Sequence, residues 1–312
     1  MRSIVGIDAV SPPEGGSSVT IGTFDGVHLG HRSLIAQTID IAHRLGTTSV
    51  AVTWDRHPAE ILRPDKMPPL LSSATRKTEL MGQTGIDVIA VLAFDEDFSH
   101  MPPERFVERV LVEGLACRSV LVGHDWRFGH RAKGDVPLLR KLGDEHGFEV
   151  VGAELLTVAG EPVSSSRIRK TVAAGDMATA RVLLGRPFEV EGVVVRGAAR
   201  GKGLGYPTAN LQVDPAIVRP PRGVYAGVAE VAGLRKPAAI SIGVNPTFGG
   251  EPGVSPVSVE AFLLDFDQEI YDDFVRLEFW KRLRDELKFA SVDDLVAQMA
   301  KDVAATRETV AA

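Results

Sequence analysis

The chain has 312 residues, of which 44% are hydrophobic, so it can bury the cores of two domains of ordinary size. Its 35 Lys and Arg against 41 Asp and Glu leave a formal net charge of −6, which argues against a general affinity for nucleic acids. The longest apolar run, residues 88–94, is far short of the ~20 residues of a membrane helix, and no signal peptide is recognisable. The one cysteine, Cys117, cannot form an internal disulfide, so a reducing cytoplasm is expected.

The first half of the chain alternates β-rich runs with segments of helical spacing. After the first run, apolar residues from Leu34 to Leu45 recur at helical spacing, and Gly46 is placed as the C-cap. A strand, a helix and a strand within about 35 residues indicate a parallel sheet, in which ligands bind at the carboxyl ends of the strands. The loops that follow these strands are therefore candidate ligand loops. Strands are predicted at residues 19–24, 49–54, 88–94, 119–122 and 148–151.

A domain boundary is predicted between residues 1–185 and residues 186–312. The helical pattern stops there at a Gly-Arg-Pro sequence, and short β-rich runs separated by Gly, Pro and Asn follow. Strands at this density without helices favour an antiparallel barrel or sandwich. Ser291 and Asp294 have the spacing of a capping box and predict the start of a closing helix. The predicted strands are residues 188–195, 224–231, 238–244, 257–266 and 275–280, and the helix carries an apolar stripe of Leu295, Met299 and Val303.

The segment G-T-F-D-G-V-H-L-G-H, residues 22–31, leaves a strand and enters a helix. His28 and His31 are three residues apart, so both side chains face the same way on the first helical turn. Three glycines let the backbone turn tightly, and the helix start attracts anions. Two imidazoles at such a place suit a phosphoryl group that gains charge in a transition state. A zinc site or a plain surface pair of histidines are the competing interpretations.

The densest glycine run of the chain covers residues 201–210, G-K-G-L-G-Y-P-T-A-N. Its glycine spacing fits neither a Walker A loop nor a dinucleotide-binding fingerprint. Thr208 and Asn210 offer two oxygen donors on one side of an extended chain, and hard oxygen donors beside a cationic glycine loop suit Mg²⁺ and nucleotide phosphates. A flexible hairpin connection is the alternative.

The histidine segment resembles the HxGH motif of nucleotidyltransferases, in the form found in prokaryotic FAD synthetases. The blocks G-H-D-W-R-F-G at residues 123–129, S-S-S-R-I-R at residues 164–169 and W-D-R-H-P at residues 54–58 extend the resemblance. It implies that His28 and His31 contact the phosphates of ATP and assist attack on its α-phosphate. The role of His57 is left open, because Arg56 stands where the family has Pro. The resemblance further implies phosphate contacts by Gly22, Phe24, Asp25, Gly26, Ser164, Ser165, Arg167 and Arg169, and flavin or adenine contacts by Asp125, Trp126 and Phe128.

The glycine run resembles the riboflavin kinase signature G-K-G-x-G-Y-P-T-A-N-L, and the resemblance continues at residues 242–249 and 259–266. It implies that Glu260 is the catalytic base and that Thr208 and Asn210 hold the Mg²⁺ of the nucleotide. Two departures are Phe262, where His is frequent, and Asp272, where Gly is common. ATP contacts are implied for Gly201, Lys202, Gly203, Gly205, Tyr206 and Pro207.

The sequence is therefore identified as a member of the prokaryotic bifunctional FAD synthetases. The expected fold is an α/β nucleotidyltransferase domain with a Rossmann-like parallel sheet, followed by an antiparallel β-barrel riboflavin kinase domain with a C-terminal helix. The expected reactions convert riboflavin to FMN and FMN to FAD with ATP and Mg²⁺. The expected partners are small molecules, without nucleic acid or membrane, and self-association is not derivable. An enzyme with one active half, or a flavin-sensing regulator that binds nucleic acid, are the alternatives, and the acidic charge disfavours the regulator.

Overall fold

The structure is a computed structural model that describes residues 2–6, 12–153, 155–197, 205–244 and 257–311. It divides into two compact units. The first consists of Met1–Pro68 and Ser72–Ser165, and the second of Pro69–Leu71 and Ser166–Ala312.

The first unit is built on a six-stranded sheet in which all neighbouring strands are parallel, which confirms the predicted sheet. The strands lie in the order β1-β4-β3-β2-β5-β6. Every residue of β2 and all but one residue of β3 are buried, as expected for central strands covered on both faces. The strands are β1 (Arg2–Val5), β2 (Ser17–Ile21), β3 (Thr48–Trp54), β4 (Val88–Leu92), β5 (Cys117–Gly123) and β6 (Glu149–Ala153).

Helices connect these strands, and the first of them begins at the histidine pair, with His28 as its N-cap and His31 in its first turn. Helix α1 (Leu29–Leu45) ends at Gly46, whose φ of 63° places it in the left-handed region, so the predicted C-cap is confirmed. The other helices of this unit are α2 (Ala59–Leu62), α3 (Ala74–Gly82), α4 (Glu96–Ser99), α5 (Pro103–Phe106), which continues as a π-helix over Val107–Gly114, and α6 (Val136–His146), and a small hairpin of β7 (Thr157–Val158) and β8 (Glu161–Pro162) follows.

The strand order places a crevice at the carboxyl ends of β2 and β5. From β2 the chain runs through α1 to β3 on one side, whereas β5, its other neighbour, is reached only after β4. Such a reversal of strand order is the usual ligand position in an open parallel sheet. The residues that follow β2 and β5 are therefore placed to form one site.

The second unit contains a closed antiparallel barrel of six strands in the order β10-β13-β12-β11-β14-β9. Of the two predicted architectures, the structure thus has the barrel. Strand β10 was not among the predicted strands, although its residues were expected to be extended. The elements are α7 (Ser165–Ala173), α8 (Met177–Leu184), β9 (Phe188–Val195), β10 (Ala209–Val213), β11 (Gly223–Val231), β12 (Leu234–Val244), β13 (Val257–Leu263), β14 (Phe274–Arg284) and α9 (Val292–Ala311).

Helix α8 packs on the barrel, although it precedes the predicted boundary at residue 186. It contacts β9 and β14, and Leu183 and Leu184 on it are buried. The guanidinium of Arg181 lies 4.5 Å from the ring centre of Trp280 on β14. The second compact unit accordingly begins at Ser166, before α8.

The closing helix α9 begins as predicted. The Asp294 amide donates to Ser291 Oγ at 3.1 Å, and Ser291 Oγ lies 2.7 Å from the Asp294 carboxylate. The buried carboxylate of Asp302 on α9 accepts two hydrogen bonds from Nε and one from Nη2 of Arg284 on β14, at 2.8–3.1 Å. These bonds attach α9 to the barrel wall.

Candidate active sites

The turn between β2 and α1 has an unusual backbone. Phe24 (φ 51°), Gly26 (φ 77°) and Val27 (φ 40°) all have positive φ, which is costly for Phe and Val. The side chains of Phe24 and Val27 are fully buried, and this burial holds the strained turn in place. Strand β2 therefore ends at Ile21 rather than at the predicted residue 24.

The two histidines face the same way, as the sequence predicted. Their rings stack with centroids 3.6 Å apart, and His28 Nδ1 accepts a hydrogen bond from the His31 amide at 3.3 Å as the N-cap of α1. Because Nδ1 is the acceptor, a neutral His28 carries its proton on Nε2. Burial first, then the nearby His28 and Lys77, lower the pKa of His31 well below its ordinary value. His31 is therefore neutral at physiological pH.

Of the residues predicted to contact phosphates near this pair, some are buried in the turn and one lines a cavity. Phe24 is wholly buried, with its ring edge-on to that of His31 at 5.2 Å, so its side chain positions His31. Its contact with a phosphate remains a prediction. Asp25 is buried. The Gly26 amide donates a hydrogen bond to Ser72 Oγ at 3.2 Å. Gly22, in contrast, lines the large cavity described below.

The segment that carries Ser164 and Ser165 lies against the turn. Ser165 Oγ donates to the Asp25 carbonyl oxygen at 3.0 Å. A Cβ on Gly30 would lie 3.1 Å from a carbon of the His28 ring and 3.3 Å from the Val163 carbonyl oxygen, so the approach requires glycine there. The structure thus brings the predicted serines to the histidine turn.

Arg167 and Arg169 lie on α7, on either side of the buried Ile168, and both are partly buried. From Ser166 onward α7 belongs to the second compact unit. Their contact with phosphates remains a prediction.

A cavity of about 930 Å³ opens in the first unit at the carboxyl edge of the sheet. Gly22 and Thr23 line it after β2, and Trp126 and Phe128 line it after β5, where their rings stack at 4.6 Å with an angle of 12°. Stacked and tilted aromatic faces suit a planar ring system. Asp125, predicted beside them, is exposed. The remaining Trp and Phe rings in the lining are Trp54, Phe94, Phe98 and Phe106, none of which was among the candidate site residues of the sequence.

Lys77 on α3 is a second residue that the sequence analysis missed. Its side chain is buried, and its ammonium donates to the Trp54 carbonyl oxygen at 2.7 Å. Burial lowers the pKa of Lys77 to about 8, while Asp25 and Asp55 act in the opposite direction. A lone lysine on a helix normally lies in solvent, so the sequence carried no signal for this position.

In the second unit, Thr208, Asn210 and Glu260 come together as predicted. Thr208 Oγ1 donates to Glu260 Oε2 at 3.3 Å, and Asn210 pairs with Glu260 in the register of β10 and β13. Val259 and Ala261 are buried while Glu260 faces the other way, in agreement with strand alternation. The Asn210 side chain packs so closely on Gly197 that a Cβ there would overlap it.

Glu260 faces a cavity of about 260 Å³ between the barrel wall and α9. The predicted stripe of α9 forms one wall of this cavity, and Thr208, Glu260 and Phe262 form part of the other. The Tyr206 ring meets that of Phe262 edge-on at 5.2 Å. Thr208 also lines a second cavity of about 300 Å³ together with Pro207 and Tyr271, so it borders both cavities. The α9 residues in the lining are Leu295, Met299, Asp302 and Val303.

Several predicted positions fall at or near the limits of the structure. Gly201, Lys202 and Gly203 lie outside the described residues, as does most of the resembling block 242–249. Gly205 is described and has a φ of 81°. Asp272 has a φ of 66°, so it adopts the left-handed conformation that the glycine common at this family position adopts without strain. The departure from the family pattern therefore keeps a glycine-like turn.

A parallel sheet with an imidazole pair at its ligand edge, and a barrel with a carboxylate beside a hydroxyl, define an enzyme with two separate nucleotide-dependent transfer sites. The family model described as FAD synthetase matches residues 11–167, and the one described as riboflavin kinase matches residues 184–310. The chain belongs to the family of bifunctional riboflavin kinase/FMN adenylyltransferases.

Relatives of that description match along nearly their whole length. The one from Pseudomonas fluorescens is 36% identical over 100% of this chain and 98% of its own. The one from Bacillus subtilis is 36% identical over 92% and 90%, and the one from Escherichia coli K12 is 34% identical over 99% and 97%.

A solved structure also matches over the full length. The crystal structure described as a macrolide-efflux protein from Streptococcus pneumoniae has a TM-score of 0.87, 29% sequence identity, and coverage of 98% of this chain and 99% of that one. Within the described part of this chain, no helix has the length and apolar character needed to cross a membrane.

Proposed function

We propose that the protein phosphorylates riboflavin with ATP at the barrel site and adenylylates the resulting FMN with a second ATP at the sheet site, giving FAD and pyrophosphate. Both family models and the full-length relatives support this pair of reactions. The observation that carries the residue assignment is that each unit brings its own predicted chemical groups together: the stacked His28 and His31 in one, and Glu260 with Thr208 in the other. The substrates are small molecules, and the reducing cytoplasm is the proposed location.

At the barrel site, Glu260 acts as the general base. Its carboxylate accepts the proton of the ribityl 5′-hydroxyl as that oxygen attacks the γ-phosphorus of ATP. The hydrogen bond from Thr208 fixes the carboxylate, and the cavity beside α9 supplies an apolar wall for the flavin ring. Tyr206 and Pro207, next to Thr208, are assigned to the nucleotide, together with Gly205.

The residues present fit a Mg²⁺ ion at this site. Thr208 and Asn210 provide a hydroxyl and an amide oxygen, which are hard donors of the kind Mg²⁺ accepts. When bound, Mg²⁺ neutralises phosphate charge and so permits the approach of the hydroxyl.

At the sheet site, a phosphate oxygen of FMN attacks the α-phosphorus of ATP, and the bond to the pyrophosphate leaving group breaks. His28 and His31 donate hydrogen bonds to the phosphoryl oxygens, where negative charge increases. Ser164, Ser165, Arg167 and Arg169 hold the leaving pyrophosphate. Trp126 and Phe128 stack with a planar ring of the flavin or adenine, and Asp125 binds at the same end.

The proposal is tested by incubating the purified full-length protein with riboflavin, ATP and MgCl₂ and separating the flavins by chromatography over time. We expect FMN to form first and FAD to follow. For each FAD, one ATP becomes ADP by transfer of its γ-phosphoryl group to riboflavin, and a second releases pyrophosphate as its AMP moiety is transferred to FMN. Riboflavin that remains unchanged contradicts the kinase assignment. Accumulation of FMN without FAD contradicts the adenylyltransferase assignment and shows that only the kinase half is active.

A further inference from the structure

Lys77, the buried lysine of the first unit, has no role in either of the two proposed reactions. Lys77 is only 7% exposed, and the hydrogen bond from its ammonium goes to the carbonyl oxygen of Trp54, the last residue of β3. Burying an ammonium is costly, and a lysine that served packing alone would be replaced by Met at no loss of volume. This position therefore calls for a reason beyond packing.

The groups around Lys77 come from the elements that form the phosphate edge of the sheet. Asp25 follows β2 and Asp55 follows β3, and both carboxylates favour the charged form of Lys77. The Lys77 ammonium in turn disfavours a positive charge on His31 of α1 and so lowers the pKa of that histidine. On α3 itself, Arg76 and Glu79 pair with each other at 2.8 Å.

These carboxylates create a difficulty for the substrate. Asp25 is only 4% exposed and lies in the turn that leads to the histidine pair. Asp55 accepts a hydrogen bond from the Phe94 amide at 2.9 Å, which fixes it at the end of β3. Two carboxylates at an edge that must accept a triphosphate repel it unless a cation offsets them. Arg56 contacts Asp55 at 3.5 Å, but its side chain is 45% exposed, so solvent screens the pair and it offsets that charge weakly.

We propose that Lys77 is a positioning residue for FMN adenylylation, whose buried ammonium holds the end of β3 through the Trp54 carbonyl and offsets the charges of Asp25 and Asp55 so that the phosphates of ATP can approach His28 and His31. The inference rests on the proposed adenylyltransferase reaction. The same Trp54 lines the large aromatic cavity, so the bond from Lys77 also fixes a wall of that cavity.

The proposal predicts a pH dependence. The pKa of Lys77 is about 8, so the ammonium is present at pH 7 and is lost as the pH rises above 8. Once it is neutral, Lys77 no longer offsets the charges of Asp25 and Asp55, and the KM for ATP rises. The neighbouring His31 has a lowered pKa and stays neutral throughout this range, so it does not contribute to an alkaline change.

The experiment measures kcat and KM for ATP in FMN adenylylation between pH 6.5 and 9.5, with the full-length protein and the variants Lys77→Met and Lys77→Arg. Lys141→Met, which changes an exposed lysine on α6, is the matched control. Near-ultraviolet circular dichroism and thermal unfolding of each variant report whether the first unit, which contains Lys77, is folded. We expect kcat/KM for ATP of the unchanged protein to fall at least tenfold between pH 7 and pH 9.5, towards the value of Lys77→Met. Lys77→Met should raise the KM for ATP at least tenfold at pH 7 and abolish the alkaline fall.

Lys77→Arg separates charge from mere packing. An arginine stays protonated over the whole range, so this variant should keep a KM for ATP closer to that of the unchanged protein at pH 7 and show no alkaline fall. The inference is overturned if the unchanged protein has a flat profile up to pH 9.5, or if Lys77→Met keeps both the KM and the alkaline fall. Absence of FAD formation by the unchanged protein at every pH would instead refute the proposed adenylyltransferase reaction.

Discussion

Glu260 is the residue on which the kinase step depends in this scheme. Glu260→Gln keeps the size of the side chain and an oxygen that accepts from Thr208, but it removes the proton acceptor. We expect riboflavin phosphorylation to fall by a factor of about 10²–10⁴ while added FMN is still converted to FAD. Flavin chromatography with riboflavin and with FMN as separate substrates measures both. Loss of both reactions in a protein with an unchanged circular dichroism spectrum would contradict separate sites.

The histidine pair offers the complementary change. In the double variant His28→Ala and His31→Ala, the hydrogen-bond donors at the start of α1 are gone, so FAD formation should fall by at least about 10²-fold. FMN should accumulate from riboflavin at the normal rate, because Glu260 and Thr208 belong to the other unit. The same time course measures both products. A normal rate of FAD formation would show that these imidazoles do not stabilise the transition state.

Asp272 provides a test of backbone strain. Its φ of 66° is unfavourable for a residue with a side chain, although Asp tolerates it better than most. Asp272→Gly should raise the free energy of unfolding of the barrel unit by about 0.5–1 kcal/mol. Asp273→Gly, at a neighbouring position without positive φ, should lower it by a similar amount. Urea unfolding of the two variants measures the difference, and equal destabilisation by both would show that the turn is not strained.

At the scale of elements, helix α8 decides where the barrel unit can be cut. A fragment of residues 186–312 lacks α8, whose buried Leu183 and Leu184 contribute about 1.5–3 kcal/mol each when they pack on the barrel. We expect the fragment of residues 166–312 to be a soluble riboflavin kinase with a clearly higher melting temperature than the shorter one. Thermal unfolding of both fragments is the measurement. Equal melting temperatures would place the functional boundary at residue 186, as the sequence predicted.

The sequence predicted most elements of the sheet and barrel because their burial follows simple periodicity. The alternation of β13 and the buried run of β3 are strong patterns, and the Gly46 cap and the Ser291 capping box are local signals that the structure confirms. Strand β1 was missed because it is four residues long and mostly exposed. The end of β2 was misplaced because the positive φ of Phe24 depends on burial that no local pattern reveals.

The candidate sites were predictable where chemistry and local spacing coincide, as for His28 and His31, and unpredictable where a site residue looks like core or surface. Trp54 and Phe106 have the pattern of ordinary core aromatics, yet they line the large cavity because several elements of the first unit converge there. Lys77 reads as a solvated helix residue and is buried by tertiary packing. Long-range contacts of this kind leave no trace in the neighbouring sequence.

At the scale of the whole molecule, an acidic chain must bind substrates that are themselves polyanions. The net charge of −6 repels ATP and FMN at long range, so each site needs its own local donors. In the proposed assignment, the sheet site has a helix start, serines and a buried lysine, and the barrel site has oxygen donors that fit Mg²⁺. These local donors offset, at each site, the repulsion between the acidic chain and its anionic substrates.

The one cysteine of the chain has a practical consequence. Cys117 is the first residue of β5, and its buried thiol donates a hydrogen bond to the Ser119 carbonyl oxygen at 3.2 Å. Burial raises the pKa of this thiol to about 12. A thiol in this state is inert towards alkylating reagents and disulfides while the strand stays in place. Labelling therefore occurs only in molecules whose central sheet has opened. The natural sequence thus contains a single-site reporter, with which mass spectrometry can follow transient opening of the adenylylating half and its suppression by bound nucleotide, without any engineered probe.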